Sequence, residues 1–143
     1  MIHNISYRTF VYSTEEEENV VKSLNYIFSE PSRVKTITED HFGNKIFILS
    51  EKISKKRFTK DIVKFLNDNL SNDDKNIIND ELSRRMDDKG NLFLRFDKQE
   101  AYDENLKLTY DGNAIHMRIK IASYPVSKKN ATIVAKKIFD FLE

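Results

Sequence analysis

Two stretches in the C-terminal half of the chain alternate between apolar and other residues, with the period of a half-buried β-strand. The first stretch alternates Leu92, Leu94 and Phe96 with Phe93, Arg95 and Asp97. The second alternates Ile115, Met117, Ile119 and Ile121 with His116, Arg118, Lys120 and Ala122. Successive side chains of a strand point to opposite faces of the sheet. Each stretch therefore predicts a core strand with one apolar face and one face that carries charge.

Three further strands are predicted in the first third of the chain. Residues 5–12 alternate in the same way and are rich in β-branched and aromatic residues. Residues 33–39 and 46–49 form two short β-rich runs on either side of the sequence Asp-His-Phe-Gly-Asn at 40–44. A turn that contains glycine between two such runs is typical of a hairpin, so these two strands are predicted to pair antiparallel.

The first predicted helix follows the first strand. Ser13 or Thr14 is predicted to cap it, and residues 15–18 place four glutamates in its first turn, where the helix dipole favours negative charge. This explains the acidic run better than a catalytic cluster does. Pro31 is predicted to break the pattern before the second strand.

Three more helices are predicted from apolar residues at helical spacing. One runs through residues 58–66, the next begins after the cap Ser71 and continues to Met86, and the last begins after the cap Ser127. Residues 98–108 are charged and aperiodic, so they are predicted to form an irregular connection.

These elements follow one another in the order β-α-β-β-α-α-β-β-α. The chain has 143 residues, the size of one domain, and shows no repeat and no linker composition. We therefore expect a single domain of the α+β class over residues 1–143, with a mainly antiparallel five-stranded sheet packed with helices.

Composition narrows the possible functions. Charged residues make up 33% of the chain but the net charge is only +1, so any nucleic-acid surface must be a local patch. The chain has no cysteine, which excludes thiolate metal sites, thiol nucleophiles and disulfides. No basic and apolar leader and no membrane-spanning segment is found in the sequence, so we expect a cytoplasmic protein without membrane contact.

The sequence offers no motif for a cofactor, a metal or catalysis. The glycines are far apart, at Gly43, Gly90 and Gly112, which excludes a glycine-rich phosphate loop. The histidines lie on three different elements, at His3, His41 and His116, without metal-binding spacing. Asp87 and Asp88 lack the acidic pattern of a calcium loop and are predicted to be turn residues. A pair of carboxylates distant in sequence stays open, but we expect no enzyme and no cofactor.

The charged face of the predicted sheet is the first candidate site. If the apolar residues of each strand face the core, the other face collects aromatic rings and cations: Arg8, Phe10, Phe93, Arg95, Arg118 and Lys120. Bases stack on exposed rings and phosphates pair with Arg or Lys, so this combination is suited to single-stranded RNA. The alternative is that a helix covers Phe10 and Phe93 and that the cations are ordinary solvated residues.

A second candidate site is the basic run that precedes and opens the second helix. It contains Lys52, Lys55, Lys56, Arg57 and Lys60. As a cluster of cations, it offers an additional surface for phosphate contacts.

Several segments resemble an archaeal family of predicted RNA-binding proteins. They are residues 6–12, the turn at 41–44, the long motif at 88–102 and residues 114–125. That family is described as an exosome subunit, and its fold resembles that of the large-subunit ribosomal protein that binds five-S RNA. The family pattern often has a proline after the Gly-Asn of the first turn, where this chain has Lys45, a difference that concerns the stiffness of that turn.

The resemblance implies a non-catalytic RNA-binding accessory protein, associated with RNA processing or degradation in the exosome or with the ribosome. It implies no catalytic residues. The expected partners are RNA and exosome or ribosomal proteins, with the chain a monomer or a homodimer. The alternative from another class is a protein-interaction module that joins an RNA-processing assembly without touching RNA itself.

Overall fold

The structure, a computed structural model, describes residues 1–29 and 32–143. The predicted break at Pro31 lies outside the described residues. The strands of the described chain are β1 (Ile2–Val11), β2 (Val34–Glu39), β3 (Lys45–Ile53), β4 (Asn91–Phe96) and β5 (Ile115–Ile121). Its helices are α1 (Glu17–Ile27), α2 (Lys56–Asn69), α3 (Asn72–Asp80), α4 (Leu82–Arg85), α5 (Lys98–Tyr102) and α6 (Lys128–Ile138).

The five strands form one sheet in the order β2-β3-β1-β5-β4. Every neighbouring pair is antiparallel, and β2 and β3 form the predicted hairpin. The α+β class and the five-stranded antiparallel sheet are therefore confirmed. Both strongly alternating stretches lie next to each other, with Leu94 opposite Met117.

One face of the sheet is the core and the helices pack against it. The apolar residues of β5 are at most 1% exposed, and they belong to the same core cluster as Leu24 of α1, Leu66 of α2 and Ala131 of α6, all 0% exposed. An antiparallel sheet can bury one face and leave the other to solvent, which gives a two-layer architecture here. The second face is the one that carries the charged residues.

Strand β3 is longer than the apolar run 46–49 predicts, because polar residues continue it to Ile53. Glu51 is only 8% exposed, and its carboxylate accepts a hydrogen bond of 2.9 Å from the Tyr7 hydroxyl on β1. The Tyr7 oxygen in turn accepts a bond of 2.7 Å from Arg33 Nε. Burial raises the pKa of the Tyr7 phenol far above its ordinary value, while the neighbouring Arg33 lowers it and Glu51 raises it further. A buried polar pair thus replaces the apolar residues expected in a core strand.

Two predictions for the first helix were wrong in detail. Helix α1 begins at Glu17, and neither Ser13 nor Thr14 caps it. Glu15 lies outside the helix because its carboxylate accepts hydrogen bonds from Tyr12 N at 3.1 Å and from Lys98 Nζ at 2.9 Å. Only two of the four glutamates are therefore in the first turn of α1.

The prediction of an irregular connection at 98–108 is wrong for residues 98–102, which form helix α5, and holds for residues 103–108. Lys98 is the first residue of α5, a five-residue helix too short to show a period, and its side chain is only 8% exposed. Asp97 caps that helix by accepting a bond of 2.8 Å from Glu100 N.

The third predicted helix is divided at Glu81 into α3 and α4. Its predicted cap is confirmed, since Ser71 Oγ accepts a bond of 3.1 Å from Asp74 N. The Glu81 carboxylate accepts a bond of 2.7 Å from the Tyr110 hydroxyl and one of 2.8 Å from Arg85 Nη2. These donors lower the pKa of the Glu81 carboxyl, and the hydrogen bond from the Tyr110 hydroxyl has the largest effect. The predicted cap of the last helix is confirmed as well, at Ser127.

The same five-residue sequence, Asp-x-x-Gly-Asn, forms the turns before β3 and before β4. In the second, Asp87 Oδ1 accepts bonds of 2.9 Å from Lys89 N and Asn91 N, and Asp87 Oδ2 accepts one of 3.1 Å from Asn91 Nδ2. Asp40 makes the equivalent bonds in the first turn. The prediction that Asp87 is a turn residue is thus confirmed, and its carboxylate aligns the start of β4.

Replacing Asp87 by Asn should make stability less dependent on pH in the acid range. Burial raises the pKa of the Asp87 carboxyl, but the hydrogen bonds from Asn91 and Lys89 and the nearby charge of Lys120 outweigh it and leave the pKa below its ordinary value. A carboxyl with a lowered pKa in the folded state contributes stability above its unfolded pKa of about 3.9, and that contribution disappears as the pH falls through the folded value. Denaturant unfolding between neutral and acid pH should show Asp87→Asn less stable than wild type at neutral pH and equal to it at low pH. Parallel curves would contradict this.

Candidate nucleic-acid interface

The uncovered side of the sheet collects its cations in cross-strand rows. One row runs through Ser50, Arg8, His116 and Arg95, because the register pairs Arg8 with Ser50 and with His116, and His116 with Arg95. The next runs through Lys52, Ser6, Arg118 and Phe93. We call this surface the open face, and it consists of Ser6, Arg8, Phe10, Ser50, Lys52, Phe93, Arg95, His116, Arg118 and Lys120.

Phe93 lies at the β4 end of the open face and is 45% exposed, so the alternative that a helix covers it is wrong. Its strand neighbour is Arg118, and Arg95 follows two residues along β4 on the same side. Phe10, near the C-terminal end of β1, is only half-buried, with its ring centroid 6.0 Å from Arg8 Cζ. Each ring of the open face thus has a guanidinium nearby.

The open face carries cations without carboxylates. Among the described strand residues on this side of the sheet there is no Asp or Glu, because Glu39 and Glu51 fall at odd positions and point to the opposite side. Within the described part of the chain, neither Arg8 nor Arg118 forms an ion pair or a side-chain hydrogen bond. A protein with a net charge of only +1 therefore concentrates positive charge on one surface.

A shallow depression of about 620 Å³ lies on this surface. Arg8, Lys52, Phe93, His116 and Arg118 are among the residues that line it. Such a concave, cationic surface with a ring at its margin can hold phosphates and an unstacked base.

Two predicted members of the site are partly engaged within the protein. Lys120 is half-buried and its Nζ donates a bond of 3.3 Å to the Lys89 carbonyl. Arg95 Nη1 donates a bond of 3.3 Å to the Tyr110 carbonyl, while its side chain stays exposed. Lys120 therefore lies at the margin of the site, and Arg95 is held in position beside Phe93.

The second basic patch lies elsewhere. Lys55 precedes the first residue of α2, and Lys56 and Arg57 belong to its first turn, all three exposed. Cations at a helix N-terminus oppose the helix dipole, so helix stability does not explain them. Lys52 connects the two surfaces, because it lines the depression on the open face and also a cleft of about 460 Å³ beside Lys55.

The sequence analysis does not place two residues of this region on the open face. Tyr110 is 69% exposed and lies beside Arg95, but it belongs to a connection without periodicity. Lys52 was placed with the helix patch, because the apolar run that predicted β3 ended before it. Continuing the alternation of β3 past Leu49 would have placed Lys52 on the open face.

No helix of the described residues has the length and apolar character needed to cross a membrane. Among the same residues, no group of three or more His, Asp or Glu is close enough to hold a metal ion.

Comparisons with known proteins identify the family and agree with the fold. A family model described as "RNA binding" matches residues 4–121. The RNA-binding protein PAB1135 of Pyrococcus abyssi is 32% identical, over 99% of this chain and 94% of the relative. The uncharacterized protein MJ0213 of Methanocaldococcus jannaschii is 32% identical over 71% of this chain and 72% of its own length.

Two solved structures are similar to this chain along nearly its whole length. Mth689 of Methanothermobacter thermautotrophicus, a DUF54 protein, is similar with a TM-score of 0.80 and 33% identity, over 97% of this chain and 98% of that one. AF2318 of Archaeoglobus fulgidus is similar with a TM-score of 0.86 and 25% identity, over 96% and 99%. The family model covers well over half of the chain, and PAB1135, Mth689 and AF2318 each align along nearly all of it. The chain therefore belongs to this archaeal family of RNA-binding proteins.

Proposed function

We propose that the chain is a non-catalytic accessory protein that holds a single-stranded segment of RNA on the open face. The observation that supports this most directly is the pair of cross-strand rows, with cations at Arg8, Lys52, Arg95 and Arg118, beside the exposed ring of Phe93. Sequence-tolerant binding of single strands requires this combination, since every base has a surface that stacks and every nucleotide carries a phosphate.

The proposal gives each of these residues a role. Four strands at a spacing of about 4.8 Å give the rows a width of roughly 14 Å, which suits a short single-stranded segment. The ring of Phe93 stacks on a base, with Arg118 directly across the strand pair to contact the adjacent phosphate. Arg8 and Lys52 continue the cationic track towards β3. The second basic patch, at Lys55, Lys56 and Arg57, extends the path of the RNA backbone beyond the sheet.

Binding should be salt-dependent and should require the arginines of the open face. Each phosphate contact to a single strand contributes about 0.7 to the slope of log affinity against log salt, so two lost contacts should lower the slope by about 1.4. We expect Arg95→Ala combined with Arg118→Ala to show this change together with a large loss of affinity. Fluorescence anisotropy with labelled single-stranded RNA and with a hairpin, over a salt series, measures both.

A matched control removes the same charge elsewhere. Lys136 and Lys137 are exposed near the end of α6, on the helix side of the sheet, and Lys136→Ala with Lys137→Ala should leave the affinity nearly unchanged. Equal losses in the two double variants would show that binding follows net charge alone. No binding by the wild type at low salt would refute the proposal.

Association with the exosome or the ribosome is the finer part of the proposal, and it is supported by the sequence resemblance. The competing function is a protein-interaction module that does not contact RNA. Affinity purification from extract with and without nuclease separates them. Partners lost on nuclease treatment support an RNA-mediated association, whereas a protein partner retained by an Arg95→Ala, Arg118→Ala variant favours the interaction module.

A further inference from the structure

Strand β2 is an edge of the sheet with nothing paired to its outer side among the described residues. All six of its residues are exposed, including Val34 at 52% and Ile37 at 62%. An exposed edge strand presents a row of unpaired N–H and C=O groups, which natural proteins usually protect or use for pairing.

The turn between β2 and β3 determines which backbone groups of β2 are free. Asp40 N donates a bond of 3.0 Å to the Asn44 carbonyl, so Asp40 and Asn44 form a hydrogen-bonded pair. Along an antiparallel ladder, such pairs alternate with pairs that lack the bonds. Thr36 and Thr38 therefore bond to β3, opposite Ile48 and Ile46. The odd-numbered residues of β2 direct their N–H and C=O groups outwards.

Three residues of β2 thus have outward backbone groups: Lys35, Ile37 and Glu39. A second copy of this strand, placed antiparallel, can pair only odd residues with odd residues. In the register that pairs all three residues, Ile37 lies opposite Ile37 of the copy. Lys35 of each copy then lies opposite Glu39 of the other, which gives two such pairs. Every outward backbone group then has a partner, and both charged pairs are of opposite sign, which favours cross-strand pairing.

We propose that two copies of the chain associate through β2 in this register, which joins their sheets into one of ten strands. The charges support a second copy as the partner of this edge. An edge strand with charges of one sign would repel its own copy, whereas here Lys35 of each copy attracts Glu39 of the other. The Ile37 side chain, otherwise exposed, is covered by its equivalent. Within its own chain, Lys35 Nζ lies 2.7 Å from Glu17 Oε1 and 4.1 Å from the Phe47 ring centroid, so in the proposed dimer Glu17 and Glu39 of the copy share this ammonium.

The symmetry has a consequence for the open face. Antiparallel pairing of identical edges requires a two-fold axis perpendicular to the sheet, so the open faces of both copies point the same way. If the open face binds RNA as proposed above, the dimer presents two cationic surfaces on one side. That consequence rests on the proposed function, whereas the dimer itself does not.

Sedimentation velocity of the full chain without RNA, over a range of concentrations, tests the dimer. We expect a concentration-dependent dimer for the wild type. Glu39→Lys places lysine opposite lysine at both charged pairs and should weaken dimerisation at least tenfold, or about 1.4 kcal/mol. Lys35→Glu should do the same with glutamates. A 1:1 mixture of the two variants restores both opposite-charge pairs and should recover a heterodimer.

Both substitutions lie on exposed side chains, and thermal melts will show that the variants are folded. A wild type that stays monomeric at the highest concentration reached would overturn the proposal. This would hold even if β2 pairs with a strand of another protein instead. A dimer insensitive to Glu39→Lys, or a mixture that does not recover, would overturn it as well. RNA is absent throughout, so a failure of the proposed RNA binding leaves this result unaffected.

Discussion

Leu94→Ala is expected to lower the free energy of unfolding by about 2–5 kcal/mol, because truncating a buried leucine removes apolar burial and leaves a cavity. Leu94 is 2% exposed and pairs across the sheet with Met117, which is 1% exposed. Both belong to the core between sheet and helices, where neighbouring strands cannot move in to fill the space. Denaturant unfolding of the wild type and the variant measures the difference.

The adjacent residue on the same strand provides the control. Arg95 points to the open face and is exposed, so Arg95→Ala should change stability by no more than about 0.5 kcal/mol, as for surface substitutions generally. Arg95→Ala should weaken RNA binding while Leu94→Ala affects it only through unfolding. If Arg95→Ala unfolds the protein, its bond to the Tyr110 carbonyl is structural and the proposed surface is wrong.

Gly90→Ala is expected to destabilise the protein by roughly 2–5 kcal/mol, the sum of a conformational cost and a steric one. Gly90 has a φ of +83°, and a side chain in this region costs about 1–2 kcal/mol. A Cβ on Gly90 would also meet the backbone oxygen of Ile121 at 3.2 Å and Ala131 Cβ at 3.5 Å. Ile121 N donates a bond of 2.8 Å to the Gly90 carbonyl, so β5 cannot withdraw without losing it. Crowding of this kind typically costs a further 1–3 kcal/mol.

Gly43 separates the two costs. It occupies the equivalent position of the other Asp-x-x-Gly-Asn turn, with a φ of +78°, but a Cβ there meets no atom within 4 Å. Gly43→Ala should therefore cost only the conformational part, about 1–2 kcal/mol. Melting curves of both variants test this difference, and equal losses would show that the contact between Gly90 and β5 adds nothing.

The strands were predicted best where one face is buried and the other is solvated. In β4 and β5 the alternation itself records which residues meet the core, since a strand has a period of two and the core accepts only apolar side chains. β3 was predicted too short because Glu51 is buried through its bond to Tyr7, a partner 44 positions away. The start of α1 was misplaced for the same reason, since Lys98, 83 positions from Glu15, draws the glutamate out of the helix.

The candidate site was predicted in part. The sequence placed Phe93, Arg95 and Arg118 on one face, because that follows from alternation and strand pairing. It did not show whether helices cover that face, since each amphipathic helix specifies only that it packs on something apolar. Lys52 and Tyr110 joined the region only in three dimensions.

What the sequence by itself determined is local: the strands of strong alternation, the Asp-x-x-Gly-Asn turns, the caps at Ser71 and Ser127, and the choice of apolar face. The tertiary structure alone decided the strand order, the side of the sheet that stays uncovered and the edge at β2. Local periodicity and turn chemistry depend on neighbours within a few residues, whereas strand order and exposure depend on contacts between segments far apart in the chain. Charges scattered along the sequence therefore became one cationic surface only when β3, β1, β5 and β4 were placed side by side.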